Sequence, residues 1–418
     1  MNASASAVPA SSSVRPAPVP AKPARLVSLD ALRGFDMFWI LGGDAAMRAL
    51  GKIMPVVPVT TVAGQFEHKA WEGFAFYDLI FPLFVFIVGV SSVFSLTRLV
   101  EQHGRATAVK RVLLRTALIF GLGIIYSGGF TQPWPGLRLL GVLQRIALAY
   151  GATGLLFCFF KPRALVGITG AILVSYWALL TFVPVRDFQL DKAAITAKLG
   201  TDKATRAQVE QAFEATTARV TGHFEPGFNL TNHLDFQYLP GRLYDTYYDP
   251  EGLLSTLPAV ATCLLGVFAG LLLRRTDRTD AQKLAWLVGG GVAAIAVGWI
   301  WGLQFPVIKK LWTSSYVLVA GGWSLLLLAL FYYIVDVRQA RSWCRPFIWV
   351  GLNPITLYLI SGMVGYRTVA NRFVGGDVKA FFDRLGTGGG DLLAALAAIG
   401  VMLALAWFLN KRQIYLRA

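Results

Sequence analysis

The sequence is poor in charge and in the residues that staple small domains together. Only 15% of its 418 residues are charged, and 23 acids face 39 bases. A soluble domain of this size needs more polar surface, so a soluble globular fold is excluded. The three cysteines, Cys158, Cys263 and Cys344, fall in or beside apolar runs. That excludes a disulfide framework and a cysteine metal cluster, and leaves small buried fillers. No apolar core with a small-residue cleavage site follows the first residues, so no signal peptide is read there. No internal repeat is visible, which counts against the commonest transporter architectures. Residues 1–24 are mostly Ala, Ser, Pro and Val, which cannot bury a core, and they are expected to form a disordered cytoplasmic tail.

What is abundant is apolar sequence in long runs. Hydrophobic residues make up 55% of the chain, and the mean hydropathy is +0.55. Ten segments read as membrane-spanning helices, at about 29–49, 77–97, 113–130, 139–160, 164–185, 252–273, 284–305, 314–335, 346–366 and 391–410. The fold class is therefore all-α, a polytopic membrane protein with about ten transmembrane helices. With both termini cytoplasmic, the inner segments hold roughly twice the Lys and Arg of the short outer loops, as the positive-inside rule requires. The net charge of +16 thus sets topology and does not mark nucleic-acid binding. The same count places His68 outside, with one long outer connection at 186–251. Its aromatic second half, GFNLTNHLDFQYLPGRLYDTYYDPEG, suggests an ordered cap.

Several polar residues stand where a bilayer disfavours them. The first span, SLDALRGFDMFWILGGDAAMRAL, carries Asp30, Arg33, Asp36 and Asp44. Each charge costs about 2.5–3.5 kcal/mol near a helix centre, so each needs a partner or a wet cavity. Asp30–Arg33 and Arg33–Asp36 are i,i+3 pairs and read either as a self-paired cluster or as an arginine set for an anionic ligand. Asp44 reads either as an i,i+4 partner of Arg48 or as a carboxylate facing the cavity of His68. In GVLQRIALAY, Gln144 and Arg145 lie inside the fourth span. Arg145 reads as an anion clamp or as a partner of Asp44 or Asp78. Asn353-Pro354 breaks the ninth span and frees a backbone carbonyl.

Among the four histidines, His103 lies in a basic inner loop, and His223 and His233 lie in the outer connection, where His233 reads as a surface residue or else as a substrate contact. His68 differs by its company. FEHKAWEGFAFYDLIFPLFVFIVG places Glu67, Trp71, Glu72 and Asp78 around it at the mouth of a span. A histidine held by a carboxylate suits general-base work.

In order along the chain, RLVSLDALRGFDMFWI, the His68 stretch, GVLQRIALAY, YDPEGLLSTLPAVATCLLGVFAG and SSYVLVAGGWSLLLLALFYYIVD resemble the transmembrane acetyltransferase domain of the heparan-α-glucosaminide N-acetyltransferase family. The resemblance covers residues 25–418, a transmembrane acetyltransferase domain. H-x-x-W-x-G ahead of D-L-x-F-P, combined with Y-D-P-E-G-[LI]-L, carries it. It implies acetyl transfer from cytosolic acetyl-CoA to the amine of a glucosamine-type sugar on the other side of the membrane. It puts His68 at the family's catalytic histidine and Asp44 where the lysosomal enzyme has an asparagine. A short tail stands where that enzyme carries a large extra-membrane domain and a first span. Short loops and this tail point to a bacterial inner membrane.

From these readings, His68 and Asp44 are expected to be catalytic. Arg33, Arg111 and Arg115, helped by Arg25 and Lys110, are expected to meet the phosphates of acetyl-CoA, the co-substrate. Gln144, Arg145 or Asn353 would polarise the thioester carbonyl. Trp71, Glu72, Asp78, Tyr248, Asp249 and Glu251 are expected around the acceptor. No metal is expected. A homodimer is an expectation from the resemblance alone. Direct transfer and an acetyl-histidine intermediate both stay open, with direct transfer favoured because positioning two substrates already supplies much of the rate. The alternatives are a transporter or flippase of a glycan or lipid-linked sugar, motivated by the charged first span and the Asn-Pro break, and an O-acetyltransferase of an envelope polysaccharide.

Overall fold

A computed structural model describes residues 26–131, 133–201 and 203–415. The expectation for the tail, residues 1–24, and the role given to Arg25 lie outside the described residues. The protein is an all-α polytopic membrane protein, with strand confined to the two-residue pair Val185–Arg186 and Arg219–Val220 among the described residues. By length and composition seven of the described helices can cross a bilayer, or eight if the bent pair Arg345–Leu352 and Pro354–Met363 forms one crossing.

Two of the expected spans run together. Phe76–Tyr126 is continuous apart from Gly104, whose φ of 80° and ψ of 167° no helix contains. Leu96 and Val112, one in each limb, would be ~24 Å apart on a straight helix. Both pack in one cluster with Tyr150 of the helix Val142–Phe159. The chain therefore doubles back at Gly104, and glycine is suited to the left-handed φ that the reversal needs. The element is a hairpin of two helices.

The first expected span is broken. Val27–Phe38 passes through a π-helical turn, Trp39–Gly43, into Asp44–Ile53. Gly42 takes φ 143° at the break. Together with its charges, this break keeps the segment from reading as a long apolar helix. The Asn353-Pro354 break bends its two helices by 77°. Proline removes one ladder hydrogen bond and clashes with the preceding turn, which accounts for the bend. Two further helices, Tyr366–Val374 and Gly376–Leu385, lie between this bent pair and the last long helix, Gly389–Lys411.

The connection 186–251 builds a small body of its own. Helices Lys192–Leu199, Arg206–Ala215 and Leu230–Tyr238 are capped by Asp191, Thr205 and Asn229. Phe188, Leu190, Ile195, Val209, Phe213 and Phe236 form its apolar centre. His233 belongs to this body and is buried, with Nε2 3.0 Å from the Phe188 carbonyl. This corrects its reading as a surface histidine. The aromatic residues that flank it in sequence supply the cover.

Candidate active site

The stretch between Phe66 and Ala75 leaves helical geometry just before the hairpin starts at Phe76. Gly73 adopts a φ of 113° and donates its N–H to the Val307 carbonyl at 2.9 Å. Glu72 pairs with Ile308 through the backbone. These contacts lash the His68 loop to a second loop, 303–313, which arrives from the far end of the sequence. Phe305, Val307, Ile308, Leu311 and Trp312 bury that second loop.

Asp78 stands in the first turn of the hairpin and is fully buried. Its Oδ2 accepts the N–H groups of Ala75 at 3.1 Å and Lys69 at 3.3 Å. An acid at this place satisfies donors that a helix start leaves free and suits the positive end of the helix. Its Oδ1 lies 2.8 Å from His68 Nδ1 and 3.4 Å from Lys309 Nζ. Lys309 Nζ lies 2.9 Å from His68 Nδ1 and 3.3 Å from Nε2. Burial pulls the Lys309 pKa below the usual lysine value, while Asp78 and Glu251 oppose that shift. The Tyr77 ring stacks on the imidazole at 4.6 Å. The His68 side chain nevertheless remains 51% exposed, so an acceptor can reach it.

Asp44 is placed differently from the expectation that it would hold His68. It pairs with Arg48 at 2.7 Å and acts on the Tyr77 hydroxyl electrostatically. Arg48 also donates to the Phe66 carbonyl at 2.9 Å. Asp44 therefore reaches His68 only through the Tyr77 ring, and the carboxylate in contact with the imidazole is Asp78. The broken first helix turns Asp44 along the i,i+4 row to Arg48.

The expected acceptor residues divide. Trp71 donates from Nε1 to the Phe224 carbonyl at 2.7 Å and meets Tyr248 edge-on at 6.4 Å. Glu72 is exposed. Asp249 and Glu251 grip Arg138. The guanidinium gives Asp249 two bonds, Nε–Oδ2 at 2.9 Å and Nη2–Oδ1 at 2.7 Å, and gives Glu251 one at 2.7 Å. Burial opposes the charge on Arg138, but the two carboxylates outweigh it and hold the pKa above its ordinary value. Asp249 also accepts the N–H of Tyr244 and of Glu251. Its oxygens are occupied inside the protein.

The expected donor residues lie in several places rather than one. Arg145 is buried, bonds Ser255 Oγ through Nη2 and stacks over Trp312 at 4.9 Å. Its Nε and Nη1 have no hydrogen-bond partner, nor does Gln144 Nε2. It pairs with neither Asp44 nor Asp78. Arg33 reaches Ser91 Oγ at 2.7 Å, the Gly351 carbonyl at 3.2 Å and Asp30 at 3.3 Å. The expected Arg33–Asp36 pair does not form, because Arg33 extends across to neighbouring helices. Asp36 is buried with neither oxygen hydrogen-bonded. Arg115 covers the Tyr150 ring at 4.9 Å, and Arg111 is exposed. Lys110 lines a surface groove of about 650 Å³ with Arg105 and Phe159. Asn353 donates to the Ile414 carbonyl at 2.9 Å. An apolar seam lined by Met37, Ile40, Phe81, Phe84, Ile146 and Tyr358 runs to the Asn353-Pro354 break and encloses only about 20 Å³.

Sequence reasoning passed over Lys309, Tyr77 and Arg138. A usable signal was the pair Lys309-Lys310 inside the otherwise apolar FPVIKKLW. Two ammonium groups so near buried residues need acids, and they find Asp78 and Asp245.

No family model matches the chain. Over 343 residues it is 29% identical to the heparan-alpha-glucosaminide N-acetyltransferase of Mus musculus, covering 74% of this chain and 50% of that protein. Over 392 residues it is 28% identical to the Homo sapiens protein of the same name, covering 84% and 54%. The chain spans about half the length of the curated relatives it matches. These similarities bear out the family read from the motifs.

Proposed function

Taking kinship with the heparan-alpha-glucosaminide N-acetyltransferases as the premise, we propose that this protein transfers acetyl from cytosolic acetyl-CoA to the amine of a glucosamine-type sugar. In this reading the hairpin Phe76–Tyr126 crosses twice and the broken first segment and the bent pair cross once each, which with the other six long helices makes ten crossings, both termini inside and the His68 face outside, so that in a bacterial inner membrane the acceptor comes from the periplasm. The single observation that carries this reading is the contact of His68 with a fully buried Asp78 at 2.8 Å, with the imidazole half open to solvent.

His68 is the base. Asp78 takes the Nδ1 proton as a hydrogen bond, which leaves the Nε2 lone pair for the acceptor. An amino sugar arrives largely protonated and non-nucleophilic, so the base must remove a proton before or during attack. The amine nitrogen then bonds to the acetyl carbon, the carbon–sulfur bond breaks, and the sulfur leaves as thiolate to be protonated to the free thiol. Arg145 is the cation for the oxygen that becomes negative, because its Nε and Nη1 are buried and unbonded. The exposed bases Arg111 and Lys110, with Arg115, attract the nucleotide phosphates on the inner side. The pantetheine arm follows the apolar seam, and the bend at Asn353-Pro354 is where the helices part to admit it. Trp71 and Tyr248 offer the sugar an aromatic wall.

The test uses protein in nanodiscs with radiolabelled acetyl-CoA and a panel of hexosamines beside their N-blocked forms. Label should pass to free amines alone and vanish in His68→Ala. Full activity in that variant removes His68 from the chemistry. Transfer to N-blocked sugars converts the reading to O-acetylation.

A further inference from the structure

The Asp78 carboxylate is bonded at every position it has to offer. A carboxylate presents about four acceptor sites. Two are taken by the backbone N–H groups of Ala75 and Lys69 on Oδ2. The other two, on Oδ1, face His68 Nδ1 and Lys309 Nζ. One negative charge is therefore shared between an imidazole and an ammonium whose nitrogens lie 2.9 Å apart. Lys309 does not come there by chance of a flexible side chain. Its loop is tied to the His68 loop by the Gly73–Val307 and Glu72–Ile308 contacts. Thr313 accepts the Ile308 N–H at 3.1 Å and donates to the Pro306 carbonyl at 2.8 Å, closing the loop on itself. Lys310, next in sequence, is turned away to Asp245 at 2.7 Å.

We propose that Lys309 is a positioning residue for His68, and that its ammonium keeps the imidazole unprotonated at Nε2 between turnovers by occupying half of the Asp78 carboxylate that the ring touches. This deepens the acetyl-transfer reading and rests on it. In the arrangement proposed, Nδ1–H donates to Oδ1 and the Lys309 ammonium shares the same oxygen as an ion-pair partner at 3.4 Å. A second proton on the ring then puts two cations against one anion. Without Lys309, Asp78 answers to the ring alone, and the doubly protonated imidazole gains an undivided counter-charge. Other charged groups face the ring less directly. Tyr77 from the hairpin stacks on it, and behind Tyr77 stand Asp44 and Arg48 of the first helix. Glu251, from the end of the long connection, acts on Lys309 electrostatically. Glu67, Lys69 and Glu72 of the same loop are exposed, where solvent screens them.

Two measurements test this on Lys309→Met and Lys309→Arg in nanodiscs. The first is the pH dependence of acetyl transfer. Its acid limb should move up by about one pH unit or more in Lys309→Met, the size expected when a neighbouring like charge is removed, and return in Lys309→Arg. The second is an NMR titration of labelled His68, which needs no activity and therefore separates this inference from the acetyl-transfer reading. The His68 midpoint should rise in the Met variant and recover in the Arg variant. A midpoint that does not move in Lys309→Met overturns the inference, whether or not transfer is observed. A wild type without transfer, but with the midpoint shift, overturns the reaction while leaving the charge arrangement standing.

Discussion

Arg138 and Arg145 lie close in sequence, yet they meet opposite fates. Arg138 is clasped by two carboxylates through three bonds of 2.7–2.9 Å. Arg145 lies deeper, touches a serine hydroxyl and an indole face, and leaves two guanidinium nitrogens without a partner. A buried charge is costly unless paired and hydrogen-bonded. A protein that keeps one arginine saturated and the next unsatisfied is separating structure from function. The satisfied one holds the YDPEG turn to the start of the helix Val142–Phe159. The unsatisfied one is the cation proposed above for the developing oxyanion.

The sharpest way to break the comparison is Arg138→Ala. It removes the hydrogen-bonded partner of Asp249 and Glu251, both largely buried, and leaves Glu251 only the more distant charges of Arg145 and Lys309. Removing one partner of such a cluster costs about 3–5 kcal/mol. Chemical or thermal unfolding in detergent should register a loss of that size. A loss under about 1 kcal/mol would mean that solvent relieves the acids, and that Arg138 is no more structural than its neighbour.

Arg145→Met is the reciprocal change. It keeps most of the bulk against Trp312 and removes the charge. Stability should change less than in Arg138→Ala, since no carboxylate loses a hydrogen bond, although Glu251, Asp249 and Asp235 lose the charge that faces them. Acetyl transfer should fall roughly 10- to 100-fold, the worth of one charge-assisted hydrogen bond in the transition state. The opposite pattern, destabilised but active, would make Arg145 the structural residue and leave the oxyanion without its proposed partner.

The same contrast explains what the sequence could reveal. Asp78 and His68 are near neighbours in one stretch, and the helix start that fixes Asp78 is legible from D-L-I-F-P after a polar loop. Asp44–Arg48 follows from i,i+4 spacing, and the bend at Asn353-Pro354 follows from proline's missing N–H. The partnership of Lys309 with His68 was illegible because 241 residues separate them. Only the packing of two loops brings them together, and no local period encodes that. Arg138 was counted as topology charge, since nothing in its own neighbourhood showed that the YDPEG acids fold back on it. Asp36 was misread for a related reason. Its spacing to Arg33 allows a pair, but Arg33 found better partners on other helices. Hydropathy falls between the limbs of the hairpin at Gly104, so the sequence shows two apolar runs although the helix itself barely pauses.

A third buried charge lies between the two arginines in character. Asp235 accepts the N–H of Leu253 at 2.8 Å and of Asp249 at 3.5 Å, but no cation bonds it. Burial pushes its pKa from 3.8 up to about 7. His233, on the same short helix, is driven by burial from 6.5 down to about 4. The two act on the long connection with opposite sign. Asp235 favours its protonated form when folded, so its contribution is full at low pH and is lost as pH rises through about 7. His233 favours its neutral form when folded, so its contribution is present at neutral pH and is lost as pH falls through about 4. Across the shared window each changes stability by about 1.4 kcal/mol per pH unit, and the changes nearly cancel. Hydrogen exchange of peptides from 186–251 should therefore vary little between pH 4.5 and 6.5 in the wild type. Asp235→Asn removes one side of the balance. Protection in that variant should climb with pH over the same range, by an amount worth roughly 2–3 kcal/mol. A variant as flat as the wild type would show that Asp235 is already relieved in the folded protein, and that its backbone donors satisfy it as fully as two acids satisfy Arg138.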